Sequence, residues 1–402
     1  MYNYIKEAIL YKLLIYNKRY PNSRYLPIFK LIFFLVRCLF YIPKNKKNKD
    51  IPARQKISDI YKTKDQDQIS KYTIAFEVSG GLGDYLIAAN YINAFIINLN
   101  IPKENIIIIA KKSFRNFIFD GLTKNIQEHN ESNLHALYIK IVRFPEILYS
   151  NIQESIYKND EKLIQWIHRQ SEFRKKHQKY FKYLPDCDGE TAFLCANIKR
   201  KRINQPDILN DFHLTEDYSY NELKENHAIL NTYNLQKNKF ITIHRGVDTD
   251  QTKDSTKLWP QEYYNDLIIR LKKIFPKFKI VQLGVSHTRC ETMKNIDINL
   301  VEKTTLPEIA TLLKNAYLHI DCEGGLVHLR HALKGGKSVV LFGPTLPEFF
   351  GYSENINIRS NSCPFPCEWL IPDWQTTCMR NDQKHICMKS ITPNIVIQQI
   401  KD

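Results

Sequence analysis

Ile74-Ala75-Phe76-Glu77-Val78-Ser79-Gly80-Gly81-Leu82-Gly83-Asp84 is an apolar run that ends in clustered glycines and an acid. The run reads as a buried strand over 72–78. Apolar residues then recur at helical spacing over 85–97, and a second strand follows at 105–110. Strand, Gly-rich turn, helix and strand in that order predict a parallel sheet with a ligand loop at a strand's C-terminal end. Glycines let the backbone approach a ligand, and the helix N-terminus behind them favours negative charge. The turn is not the dinucleotide pattern G-x-G-x-x-G. Asp84 therefore has two readings: a helix cap, or a carboxylate placed to take a proton from a hydroxyl.

The same punctuation returns in the second half. Strands are expected at 240–244, 278–283, 316–321 and 338–342, with helices at 260–274, 306–314 and 326–333. Asp321-Cys322-Glu323-Gly324-Gly325-Leu326-Val327-His328 stands between a strand and a helix. Backbone N–H groups, the helix dipole and His328 one turn inside suit a diphosphate; the plainer alternative is a tight turn with a capping acid. Between the halves, 134–143 reads as a further strand and 150–230 gives no clear assignment. The expected organisation is an N-terminal segment and linker (1–68), then two Rossmann-like domains (69–235 and 236–402) facing a central cleft, the second including a Cys-rich loop at 363–387.

The chain has 402 residues, 43% hydrophobic and 25% charged, which is ordinary globular composition. Its net charge of +16 is unevenly placed. Residues 1–60 hold 13 Lys or Arg against three acids, so they carry ten of the sixteen charges. Charge concentrated beside an apolar segment, with no aromatics interleaved along a basic groove, argues against a nucleic-acid partner. The most apolar run, 26–43, is interrupted by Lys30 and Arg37 and falls short of the roughly 20 apolar residues a membrane crossing needs. It suits an interfacial helix, with Phe29, Phe33, Phe34 and Phe40 entering the acyl boundary and Lys30, Arg37, Lys44, Lys46, Lys47 and Lys49 meeting anionic headgroups. The alternative is a helix packed on the body of the protein. The run starts late and lacks a small-residue cleavage site, so no secretory signal is read.

Five of the nine cysteines are scattered singly, which points to a reducing cytosol rather than a disulfide scaffold. The other four, Cys363, Cys367, Cys378 and Cys387, lie within 25 residues beside Pro364, Pro366 and Pro372. Four thiols in so irregular a loop suit a closed tetrahedral metal site of structural role, zinc by default. Free thiols or a disulfide pair are the alternatives, and His385 is either a spare ligand or a surface residue.

The sequence resembles glycosyltransferase family 9, the bacterial ADP-heptose:lipopolysaccharide heptosyltransferases. The resemblance is carried by 79–84 with the following helix, Lys257-Leu258-Trp259-Pro260, Glu323 through Leu329, and Leu341-Phe342-Gly343-Pro344-Thr345, in the family's order over roughly residues 72–400. It implies a GT-B architecture with acceptor on the N-terminal domain, sugar nucleotide on the C-terminal domain, inversion at the anomeric carbon and no catalytic metal. By the resemblance Asp84 is the general base, and Gly80, Gly81 and Gly83 form the acceptor or phosphate loop. Lys257 neutralises a donor phosphate, the alternative being an exposed loop lysine, and Glu323, Gly324, Gly325 and His328 hold the diphosphate; Thr345, at the end of another strand, either donates to the nucleotide or simply belongs to a turn. Glu323 replaces the family's more common Asp, and Gly324 replaces a small hydroxyl residue. Autotransporter heptosyltransferase relatives carry a similar four-cysteine iron motif, which makes iron the competitor to zinc.

The implied partners are a nucleotide-sugar donor (ADP-heptose or another), a lipid-linked or other surface-glycan acceptor, and the anionic inner-membrane surface of a Gram-negative cell, with the enzyme peripheral on its cytoplasmic side. A protein O-glycosyltransferase of the autotransporter type and a non-catalytic, metal-stabilised binding protein are the alternatives.

Overall fold

The computed structural model describes residues 73–131, 135–150, 161–181, 202, 204–218, 223–247, 255–284, 292–363, 375–376, 378 and 385–401. The basic apolar segment before residue 73, and Cys367 in the Cys-rich loop, lie outside the described residues. Among the described residues no helix is long and apolar enough to cross a membrane.

The opening stretch forms β1 (Ile74–Val78), and the chain turns at the glycines into α1 (Leu82–Asn98). β2 (Ile106–Ala110), α2 (Arg115–Phe119), β3 (Ile126–Gln127), β4 (Leu137–Ile141) and β5 (Pro145–Ser150) follow. They build a five-stranded sheet of order β3-β2-β1-β4-β5, parallel except for the antiparallel edge strand β5. From Gly83 to Ile96 every residue of α1 but Asp84 is buried. A helix apolar on all sides needs cover on all sides, and α1 receives it from its own sheet and from the second half of the chain. α3 (Glu161–Phe181) is the long element that sequence reading left unassigned. It is polar nearly all round, and its packing rests on a narrow stripe in which Leu163 and Trp166 are fully buried. Trp166 meets Phe95 of α1 edge-on, at 5.1 Å between ring centroids.

After α4 (Ala228–Thr232) comes the second sheet, built from β6 (Phe240–His244), β7 (Lys279–Leu283), β8 (Ile298–Asn299), β9 (Leu318–Cys322), β10 (Ser338–Phe342) and β11 (Ile356–Arg359). Its helices are α5 (Gln261–Ile274), α6 (Leu306–Asn315), α7 (Gly325–Ala332), α8 (Pro347–Phe350), α9 (Ile386–Lys389) and α10 (Pro393–Lys401). The six strands are all parallel, in the order β11-β10-β9-β6-β7-β8. The chain is thus α/β with two parallel-sheet, Rossmann-like halves, consistent with a GT-B architecture. In each half the strand order reverses once, between β1 and β4 and between β6 and β9. Such reversals open a crevice at the strands' C-terminal ends.

Arg330 of α7 holds the second half together in a way the sequence did not announce. It is completely buried and donates to backbone carbonyls: Ala316 at 3.0 Å, Gly336 at 3.1 Å, and Leu313. One guanidinium thereby satisfies the end of α6 and the turn into β10. Burial pulls its pKa down to about 10. Arg330→Met preserves bulk but strands these carbonyls, and is expected to cost roughly 2–4 kcal/mol of stability. A denaturant midpoint equal to the parent's contradicts that assignment.

Candidate active site

The first glycine turn is shaped around Asp84. Gly80 has φ of +116°, a conformation L side chains rarely adopt, and a Cβ there would collide with the Asp84 carboxylate. Asp84 Oδ2 accepts the Gly81 N–H at 2.8 Å, so the residue does cap α1. Its other oxygen lies 3.8 Å from Nε of Arg143, two residues beyond β4. The side chain keeps 19% of its surface accessible, so capping does not seal it from a ligand. Both sequence readings of Asp84 are compatible with this geometry. The arginine beside it was missed, because it comes from across the strand-order reversal.

The second turn follows β9. The Glu323 N–H donates to the Leu341 carbonyl at 3.1 Å, extending the ladder one residue beyond the strand. Glu323 Oε2 lies 2.5 Å from Lys257 Nζ, a pair largely shielded from water. The loop bearing Lys257 is rooted by its neighbours: Thr256 N–H donates to Gln375 O at 2.9 Å, and the buried Trp259 donates from Nε1 to Ile391 O at 2.7 Å. Pro260 then stands as the cap of α5. Arg245 donates to the Trp259 carbonyl at 3.2 Å, a structural engagement. Gly324 caps α7 with extended backbone, and a Cβ there would meet only Cys322 O at 3.7 Å. Packing therefore leaves room for the hydroxyl side chain that the family usually places at this position.

The two turns touch. A Cβ on Gly83 would come within 2.5 Å of the His328 ring, and one on Gly325 within 2.9 Å of Leu82 Cβ. Absence of these two side chains lets the N-terminal ends of α1 and α7 meet. Each such end carries roughly half a positive charge, so their meeting point favours an anion. Asp84 and Glu323 are the acids nearest it, each next to a cation.

His328 lies inside this contact. Its Nδ1 is 2.6 Å from Tyr352 Oη, which is 2.7 Å from Tyr218 Oη, and the ring of His331 stacks on Tyr352 at 3.6 Å. Burial pushes the His328 pKa down to about 4, against the pull of Glu323 and Asp84. The ring is a neutral part of the packing between the halves at ordinary pH. Thr345, just after β10, is fully buried, and its Oγ1 has no hydrogen-bond partner among the described residues. A buried hydroxyl left so is destabilising unless a ligand meets it.

Three of the four clustered cysteines are described. Cys363 and Cys387 are buried in the core of the second half, and Cys378 is partly exposed. Burial, with Cys363 and Cys378 nearby, pushes the Cys387 thiol up to about 11. Among the described residues no group of three or more His, Cys, Asp or Glu is arranged to hold a metal ion.

Residues 203–368 match the family model for glycosyltransferase family 9 (heptosyltransferase). The likeness to this family therefore covers the second half of the chain up to residue 368. No curated protein matches it by sequence. Among solved structures, the dodecameric iron-containing heptosyltransferase TibC of enterotoxigenic E. coli, in complex with ADP-D-β-D-heptose, is 14% identical, with 82% of this chain and 76% of that chain covered and a TM-score of 0.51. The E. coli ADP-heptose lipopolysaccharide heptosyltransferase II is 15% identical, with 82% and 97% covered and a TM-score of 0.45. At this identity the likeness to TibC concerns the fold, and it agrees with the two-sheet architecture found here.

A neutral, buried His328 makes stability depend on acid in a defined sense. Its folded pKa of about 4 lies below the ordinary histidine value near 6.5, so the unfolded chain takes up the proton first as pH falls. Its contribution is complete above about pH 6.5 and is lost as pH drops towards 4. His328→Gln is expected to flatten this part of the stability–pH curve, measured by urea unfolding. An unchanged slope means the ring is not held neutral.

Proposed function

We propose that this glycosyltransferase moves a sugar from a nucleotide diphosphate donor to a hydroxyl of a surface-glycan acceptor, with inversion, Asp84 taking the hydroxyl proton. The observation that carries the reading is the meeting of two helix N-termini, with Asp84 on one and the Lys257–Glu323 pair on the other. The donor diphosphate sits on the N–H groups that open α7. Lys257, held at the ready by Glu323, neutralises charge that grows on the leaving group as the glycosidic bond breaks. Thr345 gives its hydroxyl to the nucleotide. On the opposite turn, Gly81 and Arg143 fix the direction of the Asp84 carboxylate. It faces the acceptor side, as in-line attack with inversion requires.

ADP-heptose is the first donor to test, since the family model is the heptosyltransferase one and TibC binds ADP-D-β-D-heptose. A lipopolysaccharide-type acceptor follows from the same family. The basic apolar run at 26–43 would hold the enzyme on the inner membrane beside such an acceptor. A protein acceptor is the second reading, favoured by the cysteine quartet that resembles the autotransporter enzymes.

Cys363, Cys367, Cys378 and Cys387 are proposed to hold a structural iron or zinc ion. What supports the reading is the four-thiol spacing in the sequence, with Cys363 and Cys387 both rooted in the core of the second half. Bound there, the ion would cross-link the 363–387 loop to the sheet that bears the donor site. Metal analysis of purified protein is expected to give about one iron or zinc per chain, lost in Cys363→Ser with a lower unfolding temperature. A metal-free parent of normal stability contradicts the site.

Asp84→Asn keeps the shape of the cap and removes the base. It is expected to lower the transfer rate 10²- to 10⁴-fold with donor affinity nearly unchanged. Lys257→Ala is expected to weaken donor binding instead. Equal transfer rates in Asp84→Asn and parent contradict the base assignment.

A further inference from the structure

Beneath the Lys257–Glu323 pair lies a second couple that none of the family motifs quoted above includes. β6 and β9 are neighbours across the strand-order reversal, with Ile243 opposite Ile320. The next residue on each strand is therefore side by side with its counterpart. His244 Nδ1 lies 2.9 Å from both carboxylate oxygens of Asp321. A ring nitrogen so close to a carboxylate carries a proton and donates it, which settles which nitrogen is left over. Nε2 of His244 has no partner among the described residues, and the side chain retains 12% of its surface accessible.

Asp321 is buried to 1% exposure, and a carboxylate there needs compensation. His319 stands on its other side, Nε2 at 3.5 Å from Oδ2, but that ring is fully buried and its Nδ1 faces Thr242 Oγ1 at 3.0 Å. Burial pushes Asp321 up, yet the charge and hydrogen bond of His244, helped by His319, outweigh it and hold the carboxyl below its ordinary value. His319 itself is lowered by its burial. His244 is thus the only one of the two histidines placed both to balance Asp321 and to face outward. Two residues beyond Asp321 stands Glu323 with Lys257, and two beyond that α7 begins.

We propose that His244 is a donor-contacting residue whose Nε2–H hydrogen-bonds a phosphate oxygen of the donor diphosphate, and that Asp321 is the residue that positions it. The proposal rests on the donor-site reading above and deepens it. In that complex the ring donates from both nitrogens, from Nδ1 to Asp321 behind it and from Nε2 to the phosphate in front. Lys257 and His244 then divide the work. Lys257 supplies charge from its pair with Glu323, whereas His244, at the end of its strand, gives direction to the phosphate.

The test uses the full chain and probes that do not presuppose the base: inorganic pyrophosphate and the diphosphates of adenosine, uridine, guanosine and cytidine, titrated by calorimetry. His244→Ala is expected to weaken the diphosphate that the parent binds by tenfold or more, leaving the bare nucleoside unaffected. Asp321→Asn should weaken it similarly, and the double variant should be no weaker than His244→Ala alone. In protein labelled with ¹⁵N-histidine, the His244 Nε2 resonance should move when pyrophosphate is added to the parent. Parent-like affinity in His244→Ala, or an unmoved resonance at saturation, overturns the dyad while leaving the donor site standing. Additive losses overturn the role of Asp321. A parent that binds neither pyrophosphate nor any nucleoside diphosphate removes both readings. Should Asp321→Asn fail to fold, His244→Ala and the resonance decide the proposal.

Discussion

The contact between the first turns of α1 and α7 is the constraint on which the rest of the structure depends. Two helices of opposite halves meet at their N-terminal ends, and they meet this closely because Gly83 and Gly325 have no side chain at the point of contact. Helix ends of like partial charge repel. What makes the approach tolerable is the pair of acids beside it, Asp84 and Glu323, with neutral His328 filling the space between. The same arrangement leaves donor N–H groups and two cations around one spot, which suits the sugar diphosphate proposed as donor.

The two halves repeat one solution with different chemistry. Each sheet reverses its strand order once, and each reversal carries an acid–cation pair: Asp84 with Arg143 in the first, Glu323 with Lys257 in the second. In the first half the acid is also a helix cap and remains accessible, so its carboxylate is the group on offer. In the second the acid is buried and the lysine is the group on offer. The proposed roles, a base facing an acceptor and a cation facing a leaving group, draw on that asymmetry. Tyr218, Tyr352 and His331 tie the segment joining the halves to the underside of the contact, so the relative position of the turns is fixed by buried hydrogen bonds as well as by apolar packing.

Much of this was legible in the sequence, for a physical reason. Strands buried on both faces leave continuous apolar runs, and the glycine–acid turns that follow them are local. The runs ending at Val78, His244 and Phe342 and both glycine turns were therefore readable from neighbouring residues alone. What escaped depends on which strands become neighbours. Arg143 beside Asp84 and His244 beside Asp321 each arise from a pairing between the first and fourth strands of a sheet, which no local pattern encodes. α3 escaped for another reason: few of its 21 residues are apolar, so its periodicity is diluted by Lys, Gln and Glu. The edge strands β3, β8 and β11 are too short to leave a pattern of their own.

The central claim is that the donor's diphosphate and the reacting sugar occupy the meeting point of the two helix ends. A crystal structure with a hydrolysis-resistant nucleotide sugar tests it most directly. The expected density places the phosphates on the N–H groups of residues 324–326 within reach of Lys257, with the anomeric carbon turned towards Asp84. Density for the nucleotide elsewhere on the chain, or a sugar turned away from Asp84 with the phosphates in place, contradicts it.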